Sequence, residues 1–320
     1  MYSIWEPNRL YSLLRPYVDW CTRCSYTKLR YRGEDVPEEG AVIITPNHTN
    51  TLMDALVILA SRKDATVFGA RADMFRKPAL ARILRFLRIL PMLRQRDGME
   101  HLTENYHSFD EIDDTLAHDV PFCLFPEGTH KPWRSLLPVK KGVARIAARS
   151  AAQRPTKVVP AGISYSCFYF FRGVCEVRFG EPLDVNDFVR EHPGLTEAQL
   201  WQELRAEIER RMKALVPPAG PVQEKPSPLI LLLWPLAAIL SFPMWCTAEF
   251  ICAKIPDKAA CNSIRCAAMI LLLPPTMLIW SLLIGLLVSW KFVLPILVCL
   301  IFSYPVFYDG LNFISWKKIK

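Results

Sequence analysis

The C-terminal third of this 320-residue chain has very little charge. Of its 70 charged residues, only ten lie among the last 93 positions. An apolar stretch of about 20 residues is long enough to cross a bilayer, and a buried soluble core rarely contains so long a charge-poor run. The pattern therefore favours two or three membrane segments after an ordinary charged domain.

The sequence also lacks the signals of several protein classes. It has no dense Lys/Arg stripe, no zinc-ligand spacing and no RNA-binding aromatic motif, so nucleic acid is a poor candidate partner despite the net charge of +8. The sequence also lacks the Gly-x-Ser-x-Gly motif that would indicate a lipid hydrolase. The N-terminus has no basic stretch before an apolar core, so we expect no cleavable signal peptide. The positive charge favours phosphate-bearing substrates and anionic lipid head groups as partners.

The placement of the ten cysteines argues against a disulfide framework. Most of them lie in or beside apolar runs, where cysteine usually acts as a small buried hydrophobe. Cys21 and Cys24 form a C-x-x-C pair, but no second pair with zinc spacing follows. We therefore expect no metal site, and a main domain that faces a reducing, cytoplasmic compartment.

Apolar strands alternate with amphipathic helices in the first two thirds of the chain. The predicted strands are 41–45, 65–70, 120–125, 157–164 and 174–180. The predicted helices are 51–61, 77–90, 142–150 and 196–214. Such alternation is typical of an α/β fold with a mostly parallel sheet flanked by helices. In the helix predicted at 77–90, Arg82, Arg85 and Arg88 lie on one side, which faces either anionic head groups or water.

Shifts in composition divide the chain into five parts. They are an N-terminal amphipathic helical region (1–30), a domain with the candidate active site (31–216), a proline-rich linker (217–228), membrane segments (229–310) and a basic tail (311–320). The first part either packs on the domain or lies on lipid with Trp5 and Trp20 as anchors. Prolines interrupt the apolar region, so kinked or re-entrant segments are plausible.

The membrane topology has a conflict in its charges. Lys254, Lys258 and Arg265 lie between the first two apolar segments, and a simple spanning arrangement places them on the outer side. That placement opposes the positive-inside tendency, and a re-entrant first segment would remove the conflict.

The strongest candidate for chemistry is His48, which follows a predicted buried strand and precedes a helix. A histidine in such a position can act as a general base if a carboxylate fixes its tautomer and stabilises the imidazolium. Asp54 is the nearest acidic residue and is predicted to take this role. The plainer interpretation is a loop histidine that caps the helix, with a solvated aspartate.

Three further segments supply candidate anion-binding groups. The sequence Phe-Pro-Glu-Gly-Thr-His at 125–130 follows a strand, and its glycine permits close approach of a ligand. Lys140 and Lys141 precede a predicted helix, whose positive end suits a phosphate. Arg94 and Arg96 follow an apolar helix, and arginine is well matched to phosphate. Each segment alone is equally consistent with a turn, a helix start or surface charge.

In this order, the segments resemble four motifs of the glycerophospholipid acyltransferase family, over roughly residues 25–190. The matching positions are Asn47, His48 and Asp54; Arg94, with Arg96 as the near alternative; 125–129 with the Lys-Lys-Gly at 140–142; and the strand 158–163. Two departures stand out. Five residues separate His48 from Asp54 where the family usually has four, and His130 replaces the usual arginine of the third motif.

The resemblance implies an enzyme of phospholipid synthesis. The expected reaction moves an acyl group from acyl-CoA or acyl-carrier protein to the hydroxyl of 1-acylglycerol 3-phosphate, with no other cofactor. Glycerol-3-phosphate acyltransferase and lysophospholipid transacylase are the enzymatic alternatives, and a non-catalytic lipid-binding protein is the rival from another class. Such an enzyme is expected to be integral to the bacterial inner membrane or the endoplasmic reticulum, in contact with membrane lipids.

The same resemblance assigns roles to residues. His48 acts as the base and Asp54 orients it, while backbone amides near the helix start stabilise the oxyanion. The residues expected to bind substrate are Arg94, Lys140 and Lys141, with Arg96 and His130 as weaker phosphate ligands, and Glu127, Gly128 and Thr129. Arg134 is near in sequence and is a possible substitute for the missing arginine.

Overall fold

A mixed sheet forms the centre of the first two thirds of the chain. The structure is a computed structural model that describes residues 3–92 and 102–316, with only the helical backbone described for 102–107. The strands of the described residues are β1 (Tyr26–Gly33), β2 (Ala41–Pro46), β3 (Val67–Arg71), β4 (Ile89–Met92), β5 (Phe122–Cys123), β6 (Thr156–Tyr165), β7 (Gly173–Phe179) and β8 (Leu183–Asp184). They are ordered β1-β7-β6-β2-β5-β3-β4, and β8 pairs with β6.

Helices cover the sheet and follow it in the chain. The α-helices of the described residues are α1 (Arg9–Cys24), α2 (Leu52–Leu59), α3 (Pro78–Phe86), α4 (Leu102–Ala117), α5 (Gly142–Ala151), α6 (Val185–Glu191), α7 (Glu197–Leu215), α8 (Ile230–Lys254), α9 (Cys261–Leu287) and α10 (Val293–Ile314). One buried cluster lies on each side of the sheet, and the larger cluster continues into α8, α9 and α10.

The predicted mostly parallel sheet is confirmed. All neighbouring pairs are parallel except the pairs of β6 with β7 and with β8. Ile44 of β2 pairs with Cys123 of β5, so the loops that follow these two strands leave the same edge of the sheet side by side. Ligand sites of α/β sheets form at such carboxyl edges.

The helix predicted at 77–90 is too long, because α3 ends at Phe86. Arg88 takes a positive φ of 60°, which turns the chain into β4. Its side chain is buried and donates to the carbonyls of Trp5 and Glu6, while Arg85 pairs with Glu111. The predicted basic face is therefore wrong for two of its three arginines, since their charges are used within the protein.

The N-terminal region also differs from the prediction. Helix α1 runs through Pro16 without a break, and β1 begins at Tyr26, so the sheet starts before the predicted boundary at residue 31. Trp5 donates its Nε1–H to Asp114 and stacks on His118 at 3.5 Å, so its ring is engaged by the protein rather than free to anchor in lipid.

Three long apolar helices follow the linker, as predicted. Among the described residues, α8, α9 with the 3₁₀ turn before it, and α10 with the turn before it are each long and apolar enough to cross a membrane. We call residues 230–314 the helical module; it ends at Ile314, four positions beyond the predicted boundary.

The helical module docks on the carboxyl edge of the sheet. Asp309 pairs with Arg172 at 2.6 Å, beyond the end of β6. The side-chain amides of Asn262 and Asn312 donate to the carbonyls of Phe168 and Phe171, in the same loop, at 2.8 and 2.9 Å. The apolar helices therefore lie next to the edge at which the candidate catalytic loops emerge.

Candidate active site

The loop after β2 is fixed to the neighbouring strand by a buried asparagine. The Asn47 side chain accepts the N–H of Ile163 at 2.6 Å and donates to its carbonyl at 3.1 Å. Both groups of the amide are thus used, which defines the orientation of the side chain. Asn47 therefore fixes the chain where β2 ends, one residue before His48.

His48 and Asp54 form a hydrogen-bonded pair, with Nδ1 and Oδ2 2.8 Å apart. Asp54 is completely buried, and its Oδ2 also accepts the N–H groups of Thr49 and Asn50 at 2.7 and 2.6 Å. Its Oδ1 accepts the hydroxyl of Tyr165 at 2.7 Å. Because this carboxylate is surrounded by donors, Nδ1 of His48 acts as a donor and Nε2 is left with a lone pair. The ring therefore has the tautomer that a general base needs.

The longer spacing between His48 and Asp54 is accommodated before the helix begins. Helix α2 starts at Leu52, and Thr51 takes a left-handed φ of 46° that L-residues rarely adopt. This turn brings the third residue of the helix, Asp54, back towards His48. The additional residue does not separate the pair.

Glu127 holds the backbone of the loop at 47–51, between β2 and α2, which is called the catalytic loop below. Its Oε1 accepts the N–H of His48 at 2.6 Å, and its Oε2 accepts the N–H of Leu137 at 2.9 Å. The residue is only 2% exposed, and burial raises the pKa of Glu127 to about 7, although the two backbone donors favour its charged form. The structure thus places Glu127 behind His48, where it ties two loops together.

The expected oxyanion donors are occupied. The N–H groups of His48, Thr49 and Asn50 all bond to the carboxylates of Glu127 and Asp54. The prediction that amides around the histidine stabilise the oxyanion is therefore wrong for these three groups, because each already has an acceptor.

Two aromatic rings flank the imidazole of His48. Phe125 stacks on it with ring centres 4.3 Å apart, and His130 meets it edge to face at 5.5 Å. The third motif therefore lies against the first. On its other side, His130 Nε2 lies 2.8 Å from Oδ2 of Asp257, in the turn between α8 and α9.

The two lysines of the third motif lie close to the same loop. The N–H of Lys140 donates to the carbonyl of Pro126 at 2.8 Å, and Lys141 directly precedes α5. Both lysines are exposed, and neither has an ion pair among the described residues. Gly128 has a left-handed φ of 67°, and a Cβ there would lie 3.8 Å from Cγ of Lys140. Exposed Gly128 and the Lys140 side chain thus share one surface beside the loop.

The three candidate phosphate-binding arginines differ in what the structure shows of them. Arg94 and Arg96 lie outside the described residues. Arg134 donates to the carbonyls of Tyr165 and Ser166 at 2.6 and 2.8 Å, so its guanidinium is used to hold the end of β6. It therefore does not replace the arginine that the third motif lacks.

Sequence reasoning missed two side chains of the site. Tyr165 is 111 positions from Asp54, and Asp257 is 127 positions from His130. The signal for Tyr165 was a phenol hydroxyl directly after the strand predicted at 157–164. Asp257 gave a weaker one, as one of the few charges in the apolar region.

Comparisons with known proteins found a family model and several similar proteins. Residues 28–164 match the family model described as Acyltransferase. A segment of 80 residues, 24% of the chain, is 34% identical to glycerol-3-phosphate O-acyltransferase 1 of Saccharomyces cerevisiae and covers 10% of that protein. A segment of 108 residues, 32% of the chain, is 32% identical to glycerol-3-phosphate O-acyltransferase 2 of the same yeast and covers 14% of it.

A solved structure is also similar. It is the crystal structure of the 1-acyl-sn-glycerophosphate acyltransferase PlsC from Thermotoga maritima, with a TM-score of 0.45 and 21% identity. The alignment covers 63% of this chain and 79% of that one.

Proposed function

We propose that this chain, whose residues 28–164 match the Acyltransferase family model, acylates a phosphorylated glycerol, with an acyl thioester as donor. The observation that carries the proposal is the His48–Asp54 pair, which has the tautomer of a general base. Its imidazole stacks on Phe125, in the loop to which exposed Lys140 bonds through its backbone N–H. No serine or cysteine nucleophile is required, because a thioester is already activated.

In the proposed reaction, Nε2 of His48 takes the proton of an acceptor hydroxyl as its oxygen attacks the thioester carbonyl. The tetrahedral intermediate then collapses, the carbon–sulfur bond breaks, and the thiolate leaves and takes up the proton from the imidazolium. Asp54 stabilises that imidazolium and keeps Nδ1 as the donor. General-base action of this kind contributes roughly 10²–10⁴-fold to the rate.

The exposed lysines support a phosphorylated acceptor. Lys140 and Lys141 lie at the start of α5, where helix dipole and side-chain charge both favour an anion. The yeast relatives are named glycerol-3-phosphate O-acyltransferases, which makes glycerol 3-phosphate the first acceptor to test. The 1-acylglycerol 3-phosphate expected from the motifs is the second.

The test is an acyl transfer assay with the purified full-length protein in detergent. Labelled acyl-CoA and acyl-carrier protein are each offered with glycerol 3-phosphate, 1-acylglycerol 3-phosphate or lysophosphatidylcholine, and the products are identified by mass spectrometry. We expect an acylated glycerol phosphate. Transfer that requires a phospholipid donor would indicate a transacylase instead, and release of free fatty acid alone would contradict acyl transfer.

We also propose that the acyltransferase domain faces the cytoplasm. All ten cysteines of the chain lie in the described part and are free thiols, which fits a reducing compartment. Protease added to sealed vesicles with the cytoplasmic side outward should cut the linker at 217–228. Cleavage only in vesicles of the opposite orientation would reverse the assignment.

A further inference from the structure

The helical module reaches the candidate active site through one acidic side chain. Asp257 lies in the turn between α8 and α9, outside the segment that matches the family model. Its Oδ2 lies 2.8 Å from Nε2 of His130, and its Oδ1 accepts the N–H of Ala259 at 3.0 Å. One carboxylate therefore both closes its own turn and contacts the ring next to His48.

Contacts on both sides of Asp257 hold this turn in place. On the side of α8, the ammonium of Lys258 donates to the carbonyl of Cys252, near the end of that helix, at 2.9 Å. After Asp257, the Ser263 hydroxyl at the start of α9 bonds to that of Thr51, in the catalytic loop. The position of the Asp257 carboxylate is therefore determined by the docking of α8 and α9.

Among the described residues, Nε2 of His130 has a hydrogen-bonding partner and Nδ1 has none. Nε2 is engaged by Asp257, so only Nδ1 can bond to a substrate. The ring centre is 5.5 Å from that of His48, so a small acceptor bound at His48 would lie next to the His130 ring. Without the carboxylate, a partly exposed histidine side chain would be free to change rotamer.

The pair supplies geometry rather than positive charge. An imidazolium and a carboxylate together have no net charge, and a neutral ring leaves the pair negative. His130 therefore cannot replace the charge of the arginine at this motif position, and the phosphate charge is left to other cations such as Lys140 and Lys141. With Nε2–H donated to the carboxylate, Nδ1 of the neutral ring accepts a hydroxyl hydrogen of the acceptor, whereas Nδ1–H of the protonated ring donates to one of its oxygens.

We infer that Asp257 is a positioning residue that fixes His130 as a hydrogen-bonding partner of the acceptor, so that the helical module completes the acceptor site. The inference rests on the proposed function for the nature of the acceptor. It assigns to the turn between two apolar helices a part in the site that the matched segment alone does not contain.

Two variants of Asp257 separate its two contacts. Asp257→Asn keeps an oxygen that can accept the N–H of Ala259, whereas its amide N–H₂ reverses the bond to His130. Asp257→Ala removes both contacts. If the turn were all that mattered, the Asn variant would behave like wild type. We expect both variants to raise the KM for the acceptor about tenfold and to change kcat little, because Asp257→Ala removes the contact that holds His130 and Asp257→Asn reverses the donor and acceptor roles of the two ring nitrogens.

A double-mutant cycle with His130→Ala decides whether Asp257 acts through His130. We expect the double variant Asp257→Asn/His130→Ala to match His130→Ala alone, since the partner of the carboxylate is already gone. The matched control is Asp309→Asn, which alters another carboxylate that joins the helical module to the domain. The fold-changes in KM caused by Asp309→Asn and by His130→Ala should multiply in the double variant, as they do for independent sites.

Kinetics and equilibrium binding of glycerol 3-phosphate to the same proteins distinguish the possible failures. Transfer by the wild type with independent effects at 257 and 130 would overturn the inference and leave the proposed function intact. Coupled effects on binding without any transfer would support the inference and overturn the acyltransferase proposal. If glycerol 3-phosphate neither bound nor reacted, the same measurements with 1-acylglycerol 3-phosphate would apply, and failure of both acceptors would overturn the inference and the proposed function together.

Discussion

At the scale of single residues, the site depends on two buried carboxylates with different surroundings. Asp54 accepts hydrogen bonds from a tyrosine hydroxyl, two backbone N–H groups and the imidazole. Glu127 accepts only two backbone N–H groups and is almost as deeply buried. The first arrangement stabilises a negative charge beside His48, whereas the second leaves a carboxyl group with a raised pKa that holds the loop.

The raised pKa of Glu127 predicts a pH-dependent stability. The pKa is about 7 in the folded protein and 4.5 as its ordinary value, so between these values the folded state binds more protons than the unfolded state. The free energy of unfolding therefore falls as the pH rises through this window, by about 3 kcal/mol at most. Glu127→Gln removes this contribution. Thermal midpoints in detergent at pH 5 and pH 8 should show the wild type losing more stability than the variant.

The control for Glu127→Gln is the comparison of each protein with itself at the two pH values. The amide of the Gln variant meets a backbone N–H that the carboxylate accepted, so the variant starts less stable at every pH. Only the change with pH is informative. A stability difference between the two proteins that stayed the same at pH 5 and pH 8 would rule out a titrating Glu127.

The sequence was sufficient to single out His48, Asp54 and Glu127 as candidates, because each lies in a short motif next to a predictable strand, and the structure brings the three together. The sequence could not reveal what Glu127 contacts, since the backbone N–H of His48 is 79 positions away. Tyr165 and Asp257 were missed for the same reason: their roles depend on which strands and helices are neighbours in space.

At the scale of elements, the long apolar strands and amphipathic helices were predictable and the irregular ones were not. Strand β1 has the sequence YTKLRYRG. It is an edge strand with one exposed face, and its four charged or polar side chains give it no apolar run from which it could be predicted. The apolar period of α3 continues into β4, and only the positive φ of Arg88 separates them. Conformation at one residue thus decided a boundary that periodicity could not.

The start of α5 gives a prediction at this scale. Lys140→Ala and Lys141→Ala should each raise the KM for the phosphorylated acceptor about tenfold with little change in kcat, because an ammonium near a helix N-terminus binds the phosphate before and during the reaction. The measurement is steady-state transfer at two salt concentrations, since the wild type should lose more affinity at high salt than the variants do.

Lys157→Ala is the matched control for these two variants. Lys157 is also an exposed lysine, but it lies at the start of β6, on the edge of the sheet opposite the catalytic loops. Its kinetic constants should equal those of the wild type. A KM that rose equally in all three variants would indicate a general effect of surface charge rather than a phosphate site.

At the scale of the whole molecule, the apolar helices are part of the same core as the domain that carries the chemistry. Buried residues such as Val159 of β6, Met244 of α8 and Tyr304 of α10 belong to one continuous cluster. Composition predicted membrane segments, but not that they would dock on the carboxyl edge of the sheet. That contact depends on matching surfaces far apart in the sequence.

The ion pair of Arg172 and Asp309 tests this docking. Both side chains are largely buried, and Arg172 also donates to the carbonyls of Cys24 and Tyr26. Asp309→Ala leaves the guanidinium buried without its carboxylate, which typically costs about 3–5 kcal/mol. We expect a clearly lower thermal midpoint in detergent.

The exposed pair of Lys28 and Glu224 is the control for Asp309→Ala. Both of its side chains are open to solvent, and such pairs contribute little to stability. Glu224→Ala should therefore leave the midpoint unchanged. Equal midpoints for the Asp309 and Glu224 variants would mean that the helical module is not held by the contact at Arg172.

The most direct test of His48 as the general base is the kcat of His48→Ala for transfer to the acceptor that the wild type uses. His118→Ala serves as the control, because His118 is partly exposed and stacks on Trp5, away from the loop. We expect kcat to fall roughly 10²–10⁴-fold in His48→Ala and to stay at the wild-type value in His118→Ala. A His48→Ala protein that transfers the acyl group as fast as the wild type would contradict this role.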